Sequence, residues 1–205
     1  MRSFDFLPAA RAWQRLRWPG FEPRRAFALA ACLGVMGCAQ TPNAREPEPF
    51  VGSLPASLEA GTHETLLETL NAAGEATYRC EPAGGRLVWT PVGTEATLVD
   101  SARRNVGELV PGERFIAYDG SDVVGQVASE AIVSAGALTW QRIVAPERLN
   151  PAKAARGRFA DVTSIQRVST RGGLPPLADC SVVGLSELVP YFATYRFFMR
   201  EAPRG

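Results

Sequence analysis

The residues able to do chemistry are few and scattered. The single histidine, His63, sits in Gly61-Thr62-His63-Glu64. A general base needs a fixed partner and a pocket, and this position, between a polar stretch and the first strand, is that of a solvated turn residue. One histidine also argues against a His-rich metal site or a His-dependent relay. Asp119 and Asp122 flank Gly120, and with Asp100 they are the acids a carboxylate-based enzyme would use. Calcium loops need many oxygens at short intervals, and a hairpin turn accounts for both flanking aspartates without a metal. Arg167 stands amid a strand pattern beside Ile165 and Val168. It could bind a carboxylate ligand through both arms of its guanidinium, or pair with Asp161, Glu81 or another structural acid. Trp89, Trp140, Tyr78, Tyr118, Tyr195 and Phe197 could line a cavity, although aromatics on strands more often fill a core. Arg167, Trp140 and Tyr118 are the candidate ligand-binding residues. Ser129, Ser134 and Ser164 lie in no G-x-S-x-G elbow, and Gly84-Gly85 and Gly172-Gly173 lack the strand-to-helix setting of a phosphate loop. Neither a metal nor a cofactor is expected.

Composition narrows the class. Lys and Arg number 22 against 21 Asp and Glu, a formal net charge of +1. That balance removes the electrostatic case for a nucleic-acid partner. With 46% hydrophobic and 21% charged residues the chain is an ordinary globular one, and its 19 glycines and 16 prolines favour turns and strands over long helices.

The first 37 residues read as a signal peptide of the lipoprotein type. Arginines 2, 11, 15, 17, 24 and 25 precede an apolar run, AFALAACLGVMG, from Ala26 to Gly37. That run is too short to span a bilayer as a helix, which takes about twenty residues, but it fits an h-region. Leu33-Gly34-Val35-Met36-Gly37-Cys38 resembles a lipobox, in which Cys38 would receive a diacylglycerol and become the new N-terminus. Leu29-Ala30-Ala31-Cys32 is a rival with a shorter apolar run before it, and an unlipidated signal peptide cut near Ala39 or Ala44 is a further alternative. Arg24-Arg25-Ala26-Phe27 resembles the core of a twin-arginine export signal, with Pro23 in place of Ser or Thr. The leader carries six arginines and two acids, so the mature chain beyond it is net negative and offers no basic stripe to anionic lipid. Membrane attachment is therefore expected through the lipid. Ala39 after the cysteine resembles outer-membrane rather than inner-membrane sorting. Residues 38–55 are Pro-rich and polar, a stalk. Cys80 and Cys180 remain, and an even pair in an exported chain reads as a disulfide rather than a catalytic thiol or metal site.

Residues 56–201 are expected to form one β domain. Short runs of strand period, punctuated by Gly, Pro and Asp, predict strands at 65–70, 76–80, 87–91, 96–99, 114–119, 123–133, 139–145, 162–170 and 191–200. Asn150-Pro151 through Gly157 predicts one short helical insertion, with an Asn cap and Pro at its first position. Eight or nine strands with such turns predict an all-β sandwich or small barrel.

Several segments together carry a resemblance: Tyr78-Arg79-Cys80, Glu95-Ala96-Thr97-Leu98-Val99-Asp100, Asp119-Gly120-Ser121-Asp122-Val123-Val124-Gly125 and, above all, Ile165-Gln166-Arg167-Val168-Ser169-Thr170-Arg171-Gly172-Gly173. Pro175, Pro176, Cys180, Val189-Pro190-Tyr191 and Ala193-Thr194-Tyr195 complete the order. Over residues 54–199 the chain resembles the secreted bacterial and fungal proteins grouped as domain of unknown function 3455. The resemblance implies an exported, β-rich single domain whose two cysteines fall at Cys80 and Cys180, which supports the disulfide. It brings no catalytic residues. The stretch Val106–Phe115 departs from the pattern, lacking the His-Tyr and Trp seen there, so a site built on those aromatics is not expected.

These readings lead to a lipid-anchored, cell-envelope protein, non-catalytic, that binds a small ligand or an envelope partner, on the periplasmic face or the cell surface, with a soluble secreted form as the alternative. The competing class is a hydrolase or lyase working through paired carboxylates.

Overall fold

The computed structural model describes residues 53–150 and 156–201. Nine antiparallel strands form one sheet: β1 (Glu64–Ala83), β2 (Arg86–Val99), β3 (Asn105–Val110), β4 (Arg114–Ala117), β5 (Asp122–Val124), β6 (Gln126–Ala131), β7 (Trp140–Val144), β8 (Val162–Gly172) and β9 (Ser186–Arg200). Their order is β5-β4-β3-β2-β1-β9-β8-β7-β6. The two outermost strands, β5 and β6, are consecutive in the chain and separated by Gly125 alone. One extended segment thus gives its first half to β4 and its second half to β7. The sheet rolls into a nearly closed barrel, and the chain itself crosses the seam.

The seam has its own chemistry. Gly125 donates its N–H to the Glu113 carbonyl at 2.9 Å. A Cβ at Gly125 would lie 2.2 Å from Ile143 Cγ2, so no larger residue fits. Beside it, the Asn150 side chain acts as a short length of strand. Its Oδ1 accepts the Val124 N–H at 2.8 Å and its Nδ2 donates to the Val124 carbonyl at 2.9 Å. Asn150 closes a 3-10 turn, Glu147–Leu149, and its side chain is spent on β5. Residues 151–155 of the expected helical insertion lie outside the described residues.

Strand alternation fills the interior. Leu70, Ala72, Ala76 and Tyr78 of β1, Ala96 and Leu98 of β2, and Tyr191, Ala193, Tyr195 and Phe197 of β9 all belong to one buried cluster. Phe115 meets Tyr195 and Phe197 edge-on, at 5.2 and 5.4 Å. Phe159, from the segment before β8, is fully buried and stacks on Phe197 at 4.8 Å. Burying such a ring contributes about 2–3 kcal/mol, more than the roughly 1 kcal/mol of each hydrogen bond holding its segment. A second cluster lies outside the barrel, where Leu58 of a 3-10 turn (Ala56–Leu58) packs on Trp140 and Val168. The Cys80–Cys180 disulfide ties β1 to the segment leading into β9. Closing a loop of that size stabilises by about 4–5 kcal/mol in the chain-entropy account.

β1 and β2 are long because they bend. At the bend Gly74 faces Ala96 on one side and Tyr191 on the other. A Cβ there would stand 1.8 Å from the Glu95 carbonyl oxygen and 2.5 Å from Ala96 Cα. Further along, the register slips between Thr77 and Tyr78, whose partners are Gly93 and Pro91. Val92 is left as the extra residue of a bulge, which is how β2 accommodates a proline. Gly74→Ala is therefore expected to lower stability by about 2–3 kcal/mol, read as a fall in the urea midpoint. A midpoint equal to that of the native chain would show that the bend has room to spare.

Candidate functional site

A polar layer crosses the otherwise apolar barrel. Ile165 and Arg167 alternate inward from β8. Arg167 lies directly opposite Gln141 on β7 and Tyr195 on β9. It is 4% exposed. Its Nε donates to the Thr139 carbonyl at 3.2 Å. Just beyond, Ser169 takes a positive φ of 51° and the β8–β9 register slips between Val168 and Arg171, so β8 bulges immediately after the arginine. Tyr191 and Tyr195 are fully buried, with hydroxyls 3.4 Å apart. The Thr94 hydroxyl of β2 favours the ionised form of Tyr191. Tyr78 donates to the Gly173 carbonyl at 2.7 Å.

Glu113 completes the layer from the β3–β4 hairpin. Its φ of 55° is left-handed, a conformation that costs a non-glycine residue about 1–2 kcal/mol. Its carboxyl is half-buried, and Oε2 is enclosed without a hydrogen-bond partner among the described residues. Gln141 Oε1 is enclosed and unpartnered in the same way, while Gln141 Nε2 reaches the exposed Glu130 at 3.4 Å. The electrostatics bind these groups together. Burial pushes the Glu113 carboxyl above its usual value, and the Arg167 charge opposes that. Burial raises all three tyrosines, Tyr195 most of all, with the Tyr191 hydroxyl adding to it and Arg167 opposing. Among the described residues no direct ion pair joins Arg167 to Glu113, Asp161 or Glu81. The structural partner expected for Arg167 is thus replaced by a carboxylate that acts from a distance.

The other candidates lie elsewhere. Trp140, next to Gln141 in the chain, faces the opposite side of β7, under Leu58 and beside Val168. Tyr118 is 63% exposed, next to the Asp119–Ser121 turn. The three ligand candidates are therefore not brought together. His63 is exposed, and its carbonyl accepts the Glu201 N–H at 2.8 Å. Ser129 donates to the Ser57 carbonyl and Ser164 to Glu64. Cys38 and Cys32 lie outside the described residues. Cys80 and Cys180 are bonded to each other.

The carboxylates hold turns. Asp100 accepts from the backbone of Ala102 and Arg104 through Oδ1 and from the Arg104 guanidinium through Oδ2. Asp119 accepts from the Ser121 N–H and hydroxyl and from the Arg158 N–H. Both are thereby lowered, Asp100 chiefly by the Arg104 N–H and Asp119 chiefly by the Ser121 hydroxyl. Asp122 forms an exposed ion pair with Arg114. Glu68, which no sequence motif marks, pairs with Arg158 and is raised by burial, with Asp100 and Asp119 repelling its charge further. No group of three or more His, Cys, Asp or Glu side chains among the described residues gathers into a metal-holding arrangement.

On the outer face, the bend at Gly74 makes an open groove of about 510 Å³, lined in part by Glu75, Glu95, Thr97, Glu108, Pro190 and Phe192. Glu75 stands directly across from Glu95. These acids are exposed, so water screens their repulsion. Arg167 has no such relief, which makes the inner layer the costlier arrangement and the one that needs an explanation.

Residues 60–199 match the family described as protein of unknown function, DUF3455. The chain belongs to the DUF3455 family. No curated protein and no solved structure matches it. Within this DUF3455 domain the polar layer is drawn from β1, β2, β7, β8, β9 and the β3–β4 hairpin, so only the closed barrel assembles it.

Because Glu113 is raised when folded, its contribution to stability is present below the unfolded carboxyl value, near 4.5. It is lost as pH rises through the folded value. Glu113→Gln removes that loss. The variant should unfold at higher urea than the native protein at pH 7, with the gap closing at pH 4. A native protein that is the more stable of the two at pH 7 would contradict the assignment.

Proposed function

We propose that this protein is exported, anchored in the cell envelope by a lipid on Cys38, and uses the polar layer of its barrel to bind a small carboxylate-bearing ligand without transforming it. The carrying observation is Arg167, a guanidinium taken almost wholly out of water with no carboxylate in contact among the described residues. Leaving a buried charge without a partner costs several kcal/mol, and an arrangement of that cost is the mark of a site rather than of a core. A ligand carboxylate would meet the guanidinium through charge-assisted hydrogen bonds. The tyrosine hydroxyls beside it add polar contacts without a second full charge. Binding is favoured over carboxylate catalysis because Asp100 and Asp119, the acids such an enzyme would use, spend their oxygens on turns. The leader and the disulfide support an oxidising location beyond the cytoplasm.

Two measurements test the reading. Mass spectrometry of the membrane fraction should find the N-terminal peptide starting at Cys38 with diacylglycerol attached, and Cys38→Ser should release the protein to the soluble fraction. Mature chains starting at unmodified Ala39 would refute the anchor. Arg167→Met should leave the urea midpoint unchanged or higher while abolishing binding of short carboxylates in calorimetry. A loss of about 3–5 kcal/mol, as when a buried ion pair is broken, would instead make Arg167 a structural residue.

A further inference from the structure

Arg167 and Glu113 carry opposite charges in one enclosed layer, coupled but not in contact. A pair serving stability alone would touch, since separation keeps the cost of desolvation and forfeits most of the attraction. What the layer lacks can be stated group by group. Among the described residues Arg167 donates only its Nε, to the Thr139 carbonyl. Glu113 Oε2 and Gln141 Oε1 are enclosed acceptors with no donor among those residues, and Gln141 is directly across from Arg167. Among the neighbouring hydroxyls, Tyr78 has given its proton to Gly173, and Tyr191 and Tyr195 share one hydrogen bond, which leaves one phenol proton for two acceptors. The left-handed backbone of Glu113 adds a second cost at the same residue, and strain of this kind persists where it serves a site. A plain carboxylate would answer Arg167 and leave at least one of these acceptors unmet.

We propose that the ligand is a small zwitterion, its carboxylate on Arg167 and its ammonium group donating to Glu113 and Gln141. The inference rests on the carboxylate-binding reading above and names the class of ligand. Such a molecule neutralises each interior charge in place and adds no net charge to the barrel.

The test is calorimetry on the full-length protein with matched probes: acetate and glycine, propionate and β-alanine, butyrate and 4-aminobutyrate. In at least one pair the amino acid should bind about tenfold or more tightly than its unsubstituted acid, the worth of a charged hydrogen bond. Glu113→Gln, which keeps the shape of the side chain, should shrink that ratio to about threefold or less, and the unsubstituted acid, relieved of the Glu113 charge, should bind no more weakly than to the native protein. Gln141→Leu should shrink it by a smaller factor. If the unsubstituted acids bind through Arg167 but the amino group confers no advantage, or the advantage survives Glu113→Gln, the zwitterion is overturned and carboxylate binding stands. If no probe of either kind binds, carboxylate binding falls and takes the zwitterion with it.

Discussion

Closure of the barrel is the constraint on which the remaining features depend. Because β5 and β6 are one strand interrupted by Gly125, the two ends of the sheet are held by a covalent connection as well as by hydrogen bonds. An open sheet of this length would show two edges of unpaired backbone groups to any passing strand. Here the edge at Val124 is met by the carboxamide of Asn150 instead. The crowding of Ile143 against Gly125 shows how little space the crossing leaves.

A closed barrel then makes its interior electrostatics strong. Groups held inside have little water to screen them, so one arginine is felt by Glu113 and by three tyrosines at once. Two regions of the barrel are treated differently. Around Phe159 stacked rings fill the interior, and the polar side chains there, Asp119 and Ser121, accept from backbone amides. Around Arg167 the side chains have fewer partners than they can accept. That contrast separates a region built for stability from one built at its expense.

The sequence made the class plain and misplaced many of the joints. Alternating apolar residues identified β4, β7, β8 and β9 nearly in place. Strands expected at 65–70 and 76–80 are one strand, joined through small residues, of which Gly74 lets β1 approach Glu95 and Ala96 closely. Strands expected at 87–91 and 96–99 are also one, with Pro91 and Gly93 flanking a bulge between them. The run 123–133 reads as one strand, and its division at Gly125 is a matter of partners, which no local pattern reports. β3 went unseen, since Asn105-Val106-Gly107-Glu108 has little strand character of its own. Its Gly107 is required by the Ile116 carbonyl, 2.4 Å from where a Cβ would be. Of the site, Arg167 was legible as a charge in an apolar strand. Glu113 was not, because its inward turn depends on a backbone angle, and the only hint was an acid following Pro111-Gly112 at the hairpin.

The pairing of β1 with β9 joins the first strand of the domain to the last, from Glu64 opposite Arg200 to Arg79 opposite Ser186. During synthesis β1 therefore waits without one of its two neighbours until β9 has been made. The other pairings join strands that follow one another in the chain, so β1 with β9 is the one slow, long-range contact, and without it the barrel stays open. The last strand of the domain is thus its latch: β8 gains a second neighbour and β1 its missing one in the same event.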